Sequence, residues 1–152
     1  MFKKWGKGLN SSLTCDKDMA TTYAVAELIV EYSTPINMTV ANGTGIERGT
    51  CLTLSDPLTA AASTASTAAV AGIAAEEKIA SDGKTKISVY RDGIFKLICS
   101  GAVTVGDKLA WEYNTVSAAQ ISHEHTCGIA LETGADKETI LIELQPNHNN
   151  LA

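Results

Sequence analysis

The sequence predicts an all-β protein: a small β-barrel or β-tulip-like sandwich with internally duplicated β units and an extended N-terminal arm. Three observations carry that prediction. Short apolar runs alternate with turn residues along most of the chain, which is the pattern of many short strands. One ordered set of motifs occurs twice: Gly49-Thr50-Cys51-Leu52-Thr53-Leu54, Gly72-Ile73-Ala74-Ala75-Glu76 and Lys86-Ile87-Ser88-Val89-Tyr90 return as Gly106-Asp107-Lys108-Leu109-Ala110-Trp111, Gly128-Ile129-Ala130-Leu131-Glu132 and Thr139-Ile140-Leu141-Ile142-Glu143-Leu144. The leading glycines are 57 residues apart and the second pair 56, so the register holds to one residue; such repetition speaks of architecture before chemistry. Finally, hydrophobic residues are 45% of the chain but aromatics only 5%, so the core must be built from Ala, Val, Ile and Leu in closely spaced layers.

Residues 1–22 lack apolar periodicity and carry Gly6, Gly8, Asn10, Ser11 and Ser12, so an arm is expected there. Phe2 and Trp5 would be idle on a solvated tail but make good anchors in a partner's pocket. From Ala24 the chain alternates, with Ala24, Ala26, Leu28, Val30 and Tyr32 on one face and Val25, Glu27, Ile29 and Glu31 on the other. That is the period of a strand with a half-wet face, a short helix ending before Pro35 being the alternative. Residues 36–41 read as a second strand closed by Asn42-Gly43, a dipeptide suited to a tight hairpin turn. A third strand covers 50–54. The uncharged, Ala-, Ser- and Thr-rich segment 58–71 reads as a long turn, because the hydroxyls compete for the backbone hydrogen bonds of a helix; a strand over about 68–75 follows. Residues 86–91 and 94–99 flank Asp92-Gly93 and predict a hairpin. Strands over 108–112, 126–131 and 139–144 complete the set. The barrel domain is expected over 23–146, with a polar surface tail over 147–152.

Charge sets the first bounds on function. The chain of 152 residues carries a net charge of −5, enough length for one domain with a real core. Lys3, Lys4 and Lys7 put +3 in the first ten residues and leave 9 basic against 17 acidic residues, or −8, in the rest. A basic tip on an acidic body fits a tail that docks on an acidic surface. No basic stripe is interleaved with aromatics, which argues against nucleic acid. The apolar stretch 23–30 is interrupted by Glu27 and is far too short to span a membrane, and no apolar h-region follows the early lysines. A reducing cytoplasm is the expected site of synthesis, where Cys15, Cys51, Cys99 and Cys127 need not pair.

The one cluster of metal-capable side chains is His123-x-His125-x-Cys127. Along a strand these point to one face, yet they span about 13 Å at the usual rise, too far for one ion without a bend. The duplication supplies a control: a shift of 56 residues sets them over Thr67, Ala69 and Ala71, so the first copy manages without ligands. Comparison of His125 and Glu132 with a cupin motif fails at the spacing, since six residues separate them. The expectation is no metal, no cofactor and no catalytic residue. The carboxylates Asp56, Glu76, Glu77, Asp82, Asp92, Asp107, Glu132 and Asp136 fall at turns, where structural roles are expected. Glu76 and Glu132 occupy equivalent places in the two copies. No nucleophile elbow, phosphate loop or dinucleotide fingerprint is present.

In order, the segments ERGTCLTL, AVAGIAAEE, KISVYRDGIFKL, GAVTVGDKLAW and CGIALETG, followed by ILIEL, resemble the capsid cement, or head decoration, proteins of tailed bacteriophages and related viruses. The resemblance covers roughly residues 40–145. It implies a non-enzymatic β-rich protein, often a homotrimer, bound to the major capsid protein on the outside of the icosahedral shell at three-fold or quasi-three-fold positions, where it braces neighbouring capsomers. In that setting Phe2, Lys3, Lys4, Trp5 and Lys7 are the expected capsid-contact arm. The alternative is a virion-displayed module whose loops bind a host protein or glycan. The unrepeated parts, the arm and the strands before Gly43, are where contacts peculiar to this protein are expected.

Overall fold

Ten of the eleven strands among the described residues sort into two five-stranded barrels that repeat one another strand for strand. The structure is a computed structural model and describes residues 25–120 and 125–147. After β1 (Glu27–Val30), the first barrel is built from β2 (Ile36–Thr39), β3 (Cys51–Asp56), β4 (Thr59–Ala62), β5 (Val70–Ala74) and β6 (Lys86–Tyr90). The second comprises β7 (Gly93–Cys99), β8 (Lys108–Glu112), β9 (Thr115–Ala118), β10 (Thr126–Ala130) and β11 (Thr139–Asn147). Around the first barrel the order is β2-β4-β3-β5-β6, and around the second it is β7-β9-β8-β10-β11. Both close in the same way, by a short parallel contact between their first and third strands: Thr39 beside Thr59, and Ile98 beside Thr115. All other pairings within the barrels are antiparallel.

The all-β class and the duplication are what the structure shows, and the repeated motifs mark corresponding places in the two barrels. Gly49 and Gly106 both take positive φ, 91° and 92°, at the turn entering the second strand. Their amides donate to Ala74 O at 2.9 Å and Ala130 O at 2.8 Å. Gly72 and Gly128 sit mid-strand where backbones crowd: a Cβ would run into the carbonyl oxygen of Tyr90 in one barrel and of Glu143 in the other. Glycine is required there because the next strand crosses too closely for a side chain. Even the isolated bridges repeat, as Ile46 with Lys78 and Val103 with Gly134.

Five local expectations are corrected. Asp92-Gly93 does not close a hairpin: β6 pairs with β2 and β5, whereas β7 pairs with β1, β11 and β9, so this dipeptide carries the chain from one barrel to the next. Asn42-Gly43 likewise closes no hairpin, because β2 pairs with β4 and β6 rather than β3. The segment 58–71 contains β4, which folds back on β3 with Leu52 opposite Ala62; its alanines are the small residues a tight barrel wall accepts. Finally, β2 has a counterpart in β7, so β1 alone is unrepeated among the described strands. Its alternation does not produce a half-buried face either, since all four of its residues are exposed.

Two apolar clusters hold the barrels. Met38, Val40, Leu52, Ile87 and Val89 fill the first. The second cluster joins the interior of the second barrel, Phe95, Leu97, Trp111, Ile140 and Leu144, to Cys51, Val70 and Ile73 from the outer wall of the first. β5 is therefore buried along its whole length, with β10 and β11 packed against it. A hydrogen bond spans the same junction, from the Cys51 amide to Asn114 Oδ1 at 2.9 Å.

Replacing Gly128 by alanine should destabilise the protein by about 3 kcal/mol or more, because the obstacle is backbone and not a flexible side chain. Gly43→Ala, where a Cβ meets nothing within 4 Å, should leave the melting temperature nearly unchanged. Thermal denaturation of the two variants side by side checks the expectation.

Candidate functional site

Five of the eight turn carboxylates, Glu76, Asp82, Asp107, Glu132 and Asp136, accept hydrogen bonds from backbone amides. Glu76 Oε2 accepts the Ser88 amide at 2.8 Å and Glu132 Oε2 accepts the Leu141 amide at 3.0 Å, so the equivalent glutamates do the same work of holding the loop to the last strand of each barrel. Asp82 accepts from the amides of Lys84 at 2.8 Å and Ile79 at 3.1 Å. Asp136 accepts from Gly101 at 2.8 Å, and Asp107 from Thr104 at 2.9 Å. Hydrogen bonds to the charged form favour it. The Ser88 amide holds the Glu76 carboxyl below the usual range, and the amides of Lys84 and Gly101 do the same for Asp82 and Asp136. Their contribution to stability is present above the ordinary carboxylate range and is lost as pH falls through the depressed values.

Lys78 is 2% exposed and makes a second kind of tie. Its Nζ donates to the carbonyls of Asn42 at 2.6 Å, Thr44 at 2.9 Å and Ile79 at 3.3 Å, and lies 3.7 Å from Asp82 Oδ1. Three donors meet three acceptors, which is how a buried ammonium is accommodated. The second barrel has Gly134 at the matching bridge, so this tie belongs to the first barrel only.

Of the histidine–cysteine cluster, His123 lies outside the described residues, His125 precedes β10 half-buried, and Cys127 is fully buried within β10. Cys127 packs in the apolar cluster with Cys51 and Cys99. Burial pushes all three thiols upward, with the neighbouring Cys127 adding to the effect at Cys51, and Glu138 and Asp136 to that at Cys99. A buried, protonated thiol is a poor ligand and a poor nucleophile. The five expected arm residues, Phe2, Lys3, Lys4, Trp5 and Lys7, lie outside the described residues.

The surface feature the alternation did not reveal is the region around β1. A cleft of about 530 Å³ runs beside it, lined by Ala26, Leu28, Ile73, Tyr90 and Phe95, with Glu27 and Arg48 as charged members. Tyr90 and Phe95 meet edge to face with centroids 5.6 Å apart, which fixes the apolar wall of the cleft on either side of the inter-barrel crossover. Arg48 Nε donates to Ala75 O at 3.1 Å. The chain is tacked down around β1: the Ala26 amide donates to Gly49 O at 2.9 Å, Tyr32 Oη to Glu143 Oε2 at 2.9 Å and Ser33 Oγ to Asp92 Oδ1 at 2.8 Å. Such an apolar cleft beside a tethered exposed strand suits recognition of another chain better than bond-making.

A family model described as phage cement protein matches residues 30–144. Among solved structures, the chain is similar to the N-terminal base of the head fibre protein gp8.5 of bacteriophage phi29, with a TM-score of 0.50 and 13% identity over 77% of this chain and 96% of that one. At that identity the likeness is one of fold. No curated protein matches the sequence.

In the native protein Cys51, Cys99 and Cys127 should resist alkylation at mildly alkaline pH and become reactive only in denaturant. Because their folded thiols titrate above the ordinary range, their share of stability is fully present below that range and is lost as pH rises from it through the raised folded values. Mass-spectrometric mapping of alkylated sites, with and without urea, measures this; rapid native labelling of any of the three would contradict the packing described.

Proposed function

Because the chain belongs to the phage cement protein family, we propose that it decorates the outer surface of an icosahedral head shell, binds the major capsid protein there and stabilises the mature capsid. The observation that carries this reading is the span of the family match, residues 30–144, which takes in both barrels. The family is structural and non-enzymatic, and the chain is a component of the phage head. The finer assignment includes a homotrimer at three-fold or quasi-three-fold positions, since like copies close naturally around a symmetry axis. It also includes the arm, with Phe2 and Trp5 as apolar anchors and Lys3, Lys4 and Lys7 as cations, as a capsid contact.

The physical basis is linkage. A ligand that binds the expanded shell more tightly than its immature or dissociated forms stabilises the expanded state by mass action, and many copies multiply a modest effect. Two barrels fused by a shared apolar cluster form a stiff spacer, so the free energy of contact need not be spent on ordering the body.

Two outcomes are expected. Shells stripped of this protein should fail at lower temperature, or at lower chelator or pressure stress, than decorated shells, as followed by light scattering and electron microscopy; equal resilience would refute the stabilising role. Deleting residues 1–22 should weaken shell binding while leaving the barrels folded, measured by co-sedimentation with shells and by thermal melting; undiminished binding would make the arm dispensable.

A further inference from the structure

Three properties coincide at β1. Among the described strands it alone has no counterpart in the duplication, and it alone stands outside a closed barrel, paired on one side with β7. Its side chains are also exposed: Leu28 36%, Ile29 42% and Val30 42%, followed by Tyr32 at 49%. An edge strand offers a row of unpaired amides and carbonyls, and an apolar edge invites another strand. Most of β1 precedes the start of the family match at residue 30.

We propose that β1 is a docking edge for an extended, lysine- or arginine-bearing segment of the shell protein, which adds to it as a further strand. This rests on the decoration reading above. The tethers at Ala26, Tyr32 and Ser33 hold the edge in place before any partner arrives, which lowers the ordering cost of docking. The cleft beside Leu28 offers room for an anchoring side chain.

Charge selects the occupant. Glu27 and Glu31 flank the apolar residues, and Glu143 and Asp92 are held next to them by Tyr32 and Ser33. Among the described residues the nearby cations are Lys96, in register with Glu27, Arg48 in the cleft, and Arg91 beside Asp92, whose guanidinium is turned to the carbonyls of Val70 and Ala71, so the rim is acidic on balance. A second copy of β1 is a poor occupant. Two antiparallel copies centred on Ile29 would set Glu27 of each against Glu31 of the other, and like charges directly opposite are destabilising. The irregular register between Leu28 and Val30 and the four-residue length blunt the edge against indiscriminate pairing.

The test uses the full chain and stripped shells of its own phage. Ile29→Lys and Glu31→Lys should each lower shell affinity roughly tenfold or more, and Glu31→Lys should also flatten the dependence of binding on salt. Glu77→Lys, a surface charge reversal on the first barrel, should bind like the wild type. Unchanged circular dichroism and melting temperature establish that the variants are folded. Amide hydrogen exchange across residues 27–31 should slow when the wild-type chain binds, the signature of main-chain pairing. Wild-type affinity in folded Ile29→Lys, or unaltered exchange at 27–31, overturns the docking edge alone. Failure of the wild-type chain to bind shells overturns the decoration reading and this inference with it.

Discussion

The structure depends on how each barrel closes. In both copies the first strand lies parallel to the third over one or two residues, Thr39 with Thr59 and Ile98–Cys99 with Thr115–Val116. That contact closes the five-stranded sheet on itself, and closure reduces the unpaired edge that a small all-β unit presents. The two closures are not identical in extent. β2 has four residues, whereas β7 has seven. β9 covers only the far end of β7, and the stretch Ile94–Lys96 is left over for β1. The three extra residues of β7 thus give β1 a stretch to pair with, at the place where the two barrels meet.

The same junction explains the composition. Two closed barrels bring walls together, not only interiors, and a wall that packs on both sides has room for small and β-branched residues but little for rings. β5 reads VAGIA and is buried throughout. Val70 and Ile73 face the second barrel while Ala71 and Ala74 face the interior of the first. Gly72 lets the neighbouring strand cross. The larger side chains Trp111 and Phe95 sit in the second barrel's cluster, so that barrel carries the bulk that the shared wall excludes. The shared wall joins the two barrels through one apolar cluster, which is the kind of stiffening the proposed bracing role calls for.

Much of this was legible in the sequence because the repeat reports on positions that backbone geometry constrains. Gly49 and Gly106 mark a turn with positive φ, Gly72 and Gly128 a close crossing, and Glu76 and Glu132 a carboxylate that caps the next strand. Pairing partners were not legible. Asp92-Gly93 has the chemistry of a hairpin turn, yet strand pairing in a closed barrel is decided by contacts tens of residues away, such as Ile36 with Val89 and Ile140 with Leu97. β4 and β9 were missed because each is four residues long and one lies in an alanine-rich run, TAAA, without the β-branched signal of a strand. At β1 the alternation was real but its consequence was not, because alternation indicates burial only when a second layer covers one face.

The duplication also separates what the fold needs from what this protein adds. A feature present in both copies is explained by the barrel; one present in a single copy requires another reason. The paired glycines and capping glutamates fall on the first side, and so does Cys127, whose place in the core is structural. Lys78 falls on the second side, yet its three carbonyl partners account for it as a local tie where the second barrel has only Gly134. β1 is the single-copy feature that internal packing does not account for: it caps no core and closes no sheet, and it leaves apolar side chains in water. Exposing Leu28, Ile29 and Val30 costs the free chain the burial each could have gained, and the acidic flank guards against the self-pairing that such exposure invites. A strand held in that state by hydrogen bonds from Tyr32 and Ser33 makes physical sense as one half of an interface whose other half lies on a different chain.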